Sequence, residues 1–360
     1  MISRPTITQL ASQLGVAPST VSRAFTRPDL LRPDTVDRVL AAAKAVGYVP
    51  NNNARALSTG KAGAIGLIVP DIANPFFPPL IRAAQNHASA AGLSVFLADS
   101  DEDAGREERL IIAMAPQVEG LVVVSSRLPS SRLRELAGRY RLALVNRDVA
   151  GTFRVLLDAT SAIRAALTHL KELGHTRIAY VGGPERSWSN RQRRGAVEAT
   201  ARQLGLHFAS YSAPSGTYEA AKSLSRTVVG KGATGVIAFD DVLAHGLMGG
   251  FAEERIDVPG DVSIIGCDDA LATQTFPALS TISFTVDQAA SAAVHGLTEH
   301  PSDGTLPTAR ITFEGTLVLR GTTGPAANRL TALPAPAPQP PPTPRTTPAA
   351  GTPTDTARLG

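Results

Sequence analysis

The chain has 360 residues, 43% of them hydrophobic, with one cysteine and a formal net charge of +4. That length suits a small and a large domain, each with its own core, and the single cysteine, Cys267, excludes a disulfide framework or a cysteine-based metal site. The N-terminus lacks the apolar run of a signal peptide and no segment holds the roughly eighteen uninterrupted apolar residues of a membrane span, so a cytoplasmic protein with no membrane partner is expected.

Charge is uneven along the chain. Residues 1–61 carry eight Lys or Arg against three Asp, which leaves the rest slightly acidic; attraction for a polyanion therefore belongs to the N-terminal end. The first predicted element starts there. Ile7, Leu10, Ala11 and Leu14 recur at the spacing of one helical face, and Thr6 with Gln9 has the pattern of a reciprocal capping box. Gly15 ends this helix, and Pro18 opens a second one with Val21, Ala24 and Phe25 inward and Ser19, Thr20, Ser22 and Arg23 outward. Two such helices read as a helix-turn-helix, whose second helix enters the DNA major groove, where short hydroxyls reach phosphates and arginine pairs with guanine. The competing reading of these residues is an ordinary helical hairpin with a solvated polar face.

A third helix follows the turn-forming stretch 26–33, with Val36, Val39, Leu40 and Ala43 on one face and Gly47 at its end. Three short helices close a small core. The next segment, 48–61, has one large aliphatic residue after Pro50, Leu57, which is too little to bury a face. A helix so poor in apolar residues forms only when packed on something else.

From Ala64 to about Arg320 the pattern changes to short apolar runs alternating with amphipathic stretches. Strands are expected at residues 65–69, 94–98, 121–124, 142–145, 178–181, 235–239 and 263–266, and helical spacing recurs as in Leu80, Ala83, Ala84, His87 and Ala91. The fold class expected is thus a small all-α helix-turn-helix domain followed by a doubly wound α/β core with parallel sheets. Ligands of such sheets sit beyond the carboxyl ends of the strands. The loops there hold Asp71, Asn74, Phe76 and Phe77; Asn146, Arg147 and Asp148; residues 182–194; Asp240 and Asp241; and Asp268 and Asp269. Carboxylates, amides, arginine and a few rings suit a polyhydroxylated ligand, so a sugar or sugar derivative is the favoured class.

Adjacent Asp pairs do not supply two opposed carboxylates, the seven histidines form no recognisable centre, and HExxH, Gly-x-Ser-x-Gly and P-loop patterns are absent from the sequence. No enzyme activity, cofactor or metal is expected.

Several separate motifs in this order resemble the LacI family of bacterial transcription regulators. They are Thr6-Ile7, Gly15-Val16, Ser19 to Arg23, Gly47 to Asn51, Ala54 to Leu57, Thr59 to Lys61, Ile65 to Phe77, Gly120 to Val124, Asn146-Arg147, Leu173 to Ala179, Val258 to Gly266 and Asp268-Asp269, and the likeness covers about residues 4–323. The resemblance implies a helix-turn-helix domain at 1–49, a hinge helix at 50–61 and an effector-binding and dimerisation core at 62–323, like a periplasmic binding protein. Within the core, one subdomain comprises about 62–159 and 286–316, and the other about 160–285 and 317–323.

For DNA contact the resemblance implies Thr6, Ile7, Pro18, Ser19, Thr20, Ser22, Arg23 and Thr26, and from the hinge Asn51, Ala54, Arg55 and Leu57. Leu57 is the wedge that enters a minor-groove base step when two hinges pair. The family's two base-reading positions are Pro18 and Ser19 here, and Ala17 stands where a hydroxyl helix cap is usual. For the effector it implies Asn74, Phe76, Phe77, Asn146, Arg147, Tyr218, Asp241 and Asp268. Asp240 replaces the Asn of the family's Asn-Asp pair. The family's arginine three residues before the glycine, counted back from Gly195, falls on Gln192; either Gln192 faces the cleft, or a local shift gives the role to Arg191 or Arg193.

The partners implied are pseudo-palindromic operator DNA, a small effector and a second copy of the chain. A solute-binding receptor, or a regulator answering a nucleoside-type effector, is the alternative. Beyond 323 the Pro, Ala and Thr content favours a disordered tail, and the absence of a leucine heptad there favours a dimer.

Overall fold

The architecture comes from a computed structural model that describes residues 5–48, 63–299 and 304–327. Helices α1 (Ile7–Leu14), α2 (Pro18–Thr26) and α3 (Pro33–Val46) form the N-terminal unit. The capping box closes α1: the Thr6 hydroxyl accepts from the Gln9 amide at 3.3 Å, and the Thr6 amide donates to the Gln9 side chain at 2.8 Å. Gly15 and Gly47 end α1 and α3 at φ 66°, a left-handed conformation that glycine adopts without a β-carbon clash.

Leu10, Ala11, Val21, Ala24, Val39 and Ala43 make this unit's core, flanked by Ile7, Leu14, Val16, Phe25 and Tyr48. Two expected members are absent. Val36 is half-buried and Leu40 is 41% exposed, because so small a core accepts only the narrow stripe of Val39 and Ala43 from α3.

The core holds two parallel sheets. Strands β1 (Ala64–Val69), β2 (Ser94–Asp99), β3 (Leu121–Val124), β4 (Leu142–Val145) and β5 (Phe153–Asp158) are joined by β11 (Ala309–Glu314) in the order β11-β5-β4-β3-β1-β2. The second sheet has β6 (Arg177–Gly182), β7 (His207–Ser212), β8 (Gly235–Ala238) and β9 (Ser263–Ile265) in the order β7-β6-β8-β9. A ribbon of β10 (Thr281–Ser283) and β12 (Thr316–Val318) meets β9 through a bridge between Ile265 and Ser280. The chain therefore passes between the sheets three times: after β5, between β10 and β11, and between β11 and β12.

Strands β1, β3, β4 and β8, inside their sheets, and β9, covered by the ribbon at its edge, are buried along their whole length, which is why they read as apolar runs. The connecting helices used below are α4 (Phe77–Ala90), α5 (Ala104–Met114), α6 (Ser130–Ala137), α7 (Thr160–Glu172), α8 (Trp188–Leu204), α9 (Tyr218–Lys222), α10 (Ser225–Gly230), α11 (Asp241–Glu253) and α12 (Val286–Thr298). Among the described residues no helix is long and apolar enough to cross a membrane.

The segment after 323 departs from the expected loose tail. The Gly324 amide donates to Ser263 at 3.0 Å, and the Ala326 amide to the Leu173 carbonyl at 2.8 Å. Composition alone misses such backbone pairing. The rest of the Pro-rich segment, and the hinge positions Asn51, Ala54, Arg55 and Leu57, lie outside the described residues.

Candidate functional site

Two places gather the residues singled out by the sequence. The first is the outer side of α2. Pro18, Ser19 and Arg23 are exposed there, whereas Thr20 and Ser22 are half-buried, so the outward face is narrower than the helical pattern implies. Thr26 ends the helix. Ala17 gives α2 no side-chain cap; Pro18 has no amide hydrogen to cap, and the Thr20 and Val21 amides donate to the Ala17 carbonyl at 2.9 and 3.3 Å. Thr6 is exposed in the capping box, and half-buried Ile7 packs against the small core.

The second place is a cleft where the carboxyl ends of both sheets meet. One wall follows β1 to β4, with Asp71, Asn74, Phe76, Phe77, Glu102, Ser125, Arg127 and Asn146. The other follows β6 to β9, with Ser187, Ser189, Arg193, Ser215, Phe239, Asp240 and Asp268. Between them is a cavity of about 50 Å³. Ligand pockets for small molecules run to roughly 300–1,000 Å³, so this cavity is far smaller than such a pocket.

Arg193 organises the inner wall. It projects from α8 into the interior, donates to the Phe239 carbonyl and to Asp268 at 2.9 Å, and lies 5.0 Å from the Phe239 ring centroid and 5.5 Å from that of Phe284. Burial disfavours its charge, but the Asp268 carboxylate, with smaller contributions from Cys267 and Tyr180, holds the guanidinium's pKa above its ordinary value.

Asp240 caps α11 by accepting from the Leu243 amide at 2.8 Å, and its other oxygen accepts from Asn74 across the cleft at 3.3 Å. Burial, with the Asp268 charge nearby, pushes its carboxyl up to about 7. On the opposite wall Arg127 is spent on Glu102 and the Ser125 carbonyl.

Four lining residues that are not glycine have positive φ: Glu102 at 56°, Ser125 at 47°, Asn146 at 55° and Asp268 at 110°. Such conformations cost about 1–3 kcal/mol each and persist where the surroundings enforce them, commonly at binding sites. Two side-chain atoms on the lining, Asn146 Oδ1 and Ser189 Oγ, are buried with no hydrogen-bond partner. Each is a place for a ligand's polar group.

Of the residues expected at the effector site, Asn74, Phe76, Phe77, Asn146 and Asp268 come together on the cavity. Five others do not. Arg147 turns away to the Leu128 carbonyl at 2.8 Å, and Arg191 lies outside, bonded to the carbonyls of Glu185 and Arg186. Gln192 is exposed and borders a separate small pocket beside Trp188. Tyr218 lies on a different groove with His245 and Phe276. Asp241 sits behind the lining, accepting from Thr281 at 2.6 Å and from the Ala270 amide at 2.9 Å, and so fastens the loop that carries Asp268.

The choice among Gln192 and its neighbours is settled by helix phase. Asn190, Arg193, Val197, Thr200 and Ala201 form the buried stripe of α8, and Gly195 faces open space, so it is not the close-packed glycine from which to count. The three-and-four spacing back from Val197 is the signal that identifies Arg193. Ser125, Arg127 and Phe239 carry no comparable signal, since each follows an apolar strand as an unremarkable loop residue.

Comparison with known proteins agrees with both halves. Residues 6–51 match the model for bacterial regulatory proteins of the lacI family, and residues 167–323 match the periplasmic binding protein-like domain. The HTH-type transcriptional regulator GalS of Salmonella typhimurium is 31% identical over 325 residues, 88% of this chain and 95% of that one. A ribose operon repressor of Halalkalibacterium halodurans is 29% identical, over 88% of this chain and 97% of its own. The lac repressor dimer bound to operator and the anti-inducer ONPF superposes with a TM-score of 0.80 at 20% identity, covering 89% of this chain and all of that one, a likeness of fold. The chain belongs to the lacI family of bacterial regulatory proteins: it is a DNA-binding transcriptional regulator and not an enzyme.

Proposed function

We propose that the protein is a homodimeric repressor of carbohydrate-utilisation genes whose operator affinity is set by a sugar-like effector held between the two core subdomains. The observation that carries this reading is the cleft itself. Strand-end loops of both sheets supply polar groups to one small cavity, and two of its buried polar atoms have no partner in the protein. A ligand that bridges the walls has different affinity for their open and closed arrangements, which is the requirement for switching.

In this reading the hinge, 50–61, folds against its counterpart on operator DNA and transmits the change, with Asn51, Ala54, Arg55 and Leu57 at the minor groove and Ser19 and Arg23 reading the major groove. Names among the relatives, a GalS regulator and a ribose operon repressor, favour carbohydrate over nucleoside effectors.

The test compares operator binding by the full chain and by a chain lacking residues 1–61. The truncated chain is expected to lose specific binding. Equal affinity in the two would reject the repressor reading.

A further inference from the structure

The cavity is unbalanced in charge and in hydrogen-bonding capacity. Four carboxylates line it, from Asp71, Glu102, Asp240 and Asp268, against the guanidiniums of Arg127 and Arg193. Both cations are already used: Arg127 is paired with Glu102, and Arg193 with Asp268. Asp71 and Asp240 form no ion pair among the described residues. Asp71 accepts only from the Ala73 amide at 2.8 Å, and Asp240, 2% exposed, has an amide and the Asn74 side chain as its donors.

The amide donors on the lining are spent as well, although the Ser189 hydroxyl has no partner. The Asn74 amino group is committed to Asp240, and the Asn146 amino group to Ser125 at 3.3 Å, while Asn146 Oδ1, on a residue 4% exposed, accepts nothing. What the cleft lacks is therefore a positive charge to set against Asp71 and Asp240. A buried carboxylate without a counter-ion is costly, and an ammonium group, which carries that charge and has three donors and no acceptor, also suits the unpaired Asn146 Oδ1. A phosphate or carboxylate on the ligand would add to the existing repulsion.

Resting on the effector reading above, we infer that the cleft is built for a sugar bearing a protonated amine, with Asp240 as the specificity-determining counter-ion, Asp71 contributing to the field, and Asn146 Oδ1 accepting from the ligand. Phe76 and Phe77, set edge to face with centroids 5.1 Å apart, supply the apolar surface beside it.

The experiment measures binding of the full chain, by calorimetry and by shift of the melting temperature, to 2-amino-2-deoxyhexoses, the parent neutral hexoses, the N-acetylated amines and hexose 6-phosphates. The free amines are expected to bind at least about tenfold tighter than the neutral and N-acetylated sugars, as a charge-assisted hydrogen bond predicts, with the phosphates weakest. Asp240→Asn, which keeps an oxygen to cap α11, is expected to weaken binding of the amine about tenfold more than that of the parent sugar, so that the preference for the amine is lost; Asp71→Asn is expected to reduce it. Equal affinity for amine and parent sugar, tightest binding of a phosphate, or a preference that survives Asp240→Asn overturns the inference and leaves the carbohydrate reading standing. Failure of every sugar to bind overturns both.

Discussion

Removing the guanidinium of Arg193 leaves Asp268 buried without its counter-ion and the Phe239 carbonyl without a donor, while the space between two phenyl rings is emptied. Losing one partner of a buried pair costs about 3–5 kcal/mol, mostly because of the stranded charge. Arg193→Met, which keeps volume against Phe239 and Phe284, should therefore lower the stability of the core by that order and eliminate sugar binding. A second change, Asp268→Asn in the same chain, removes the stranded carboxylate and should recover part of the stability without recovering binding. Thermal unfolding of the single and double variants, with titration calorimetry beside it, checks both parts; a single variant as stable as the parent would show that the pair is not needed to hold the cleft.

The same residue shows what one sequence can carry at this scale. Counting back from Gly195 reached Gln192 and left Arg193 as one alternative; the buried stripe of α8 in the folded chain is what turns Arg193 inward. Tyr218 and Asp241 matched family positions yet stand on another groove and behind the lining. A matched motif fixes a loop's place in the chain, whereas the direction of a side chain depends on packing that the motif does not encode.

Among the elements, those buried on both faces were the easiest to read. The runs of β1, β3, β4 and β8 are apolar throughout because both sides of each strand meet helices, while edge strands such as β7, His-Phe-Ala-Ser-Tyr-Ser, mix polar and apolar residues and give little signal. The meeting of α9 and α11 was also hidden in the sequence. Gly246 and Gly250 lie on one side of α11, and a β-carbon on either would run into backbone oxygens, of Tyr218 and Lys222 respectively. Two helices this close have no slack for a methyl group. Alanine favours an isolated helix over glycine by about 1 kcal/mol, so propensity alone predicts that Gly246→Ala stabilises the protein. Packing predicts the opposite: α9 must move, and overpacking of this kind costs about 1–3 kcal/mol. A drop in the urea midpoint of the Gly246→Ala chain is the expected outcome, and a rise would mean that α9 shifts freely.

At the scale of the whole molecule, the N-terminal unit has a core of six buried residues and a narrow outward face, which limits the contact one copy can make. In the proposed dimer, once one unit is bound the second would bind at high effective concentration, and overall affinity would exceed that of either alone by about 10²–10⁴. In that reading the pairing surface lies on the core, and the described residues leave an apolar feature in the open there. Phe276 is fully exposed beside a groove lined by Tyr218, Met248, Ile256 and Leu271. On a monomer that ring gains nothing, whereas against a second copy it is an anchor. Phe276→Glu should leave the fold intact, since the side chain touches little within its own chain, yet shift sedimentation from dimer to monomer. Operator affinity should fall by about two to four orders of magnitude, and Leu57→Ala should then weaken binding no further if Leu57 acts as the proposed paired wedge. A variant that remains dimeric and binds operator as the parent does would move the pairing surface elsewhere, with the exposed Phe96 and Leu97 of edge strand β2 the next place to test.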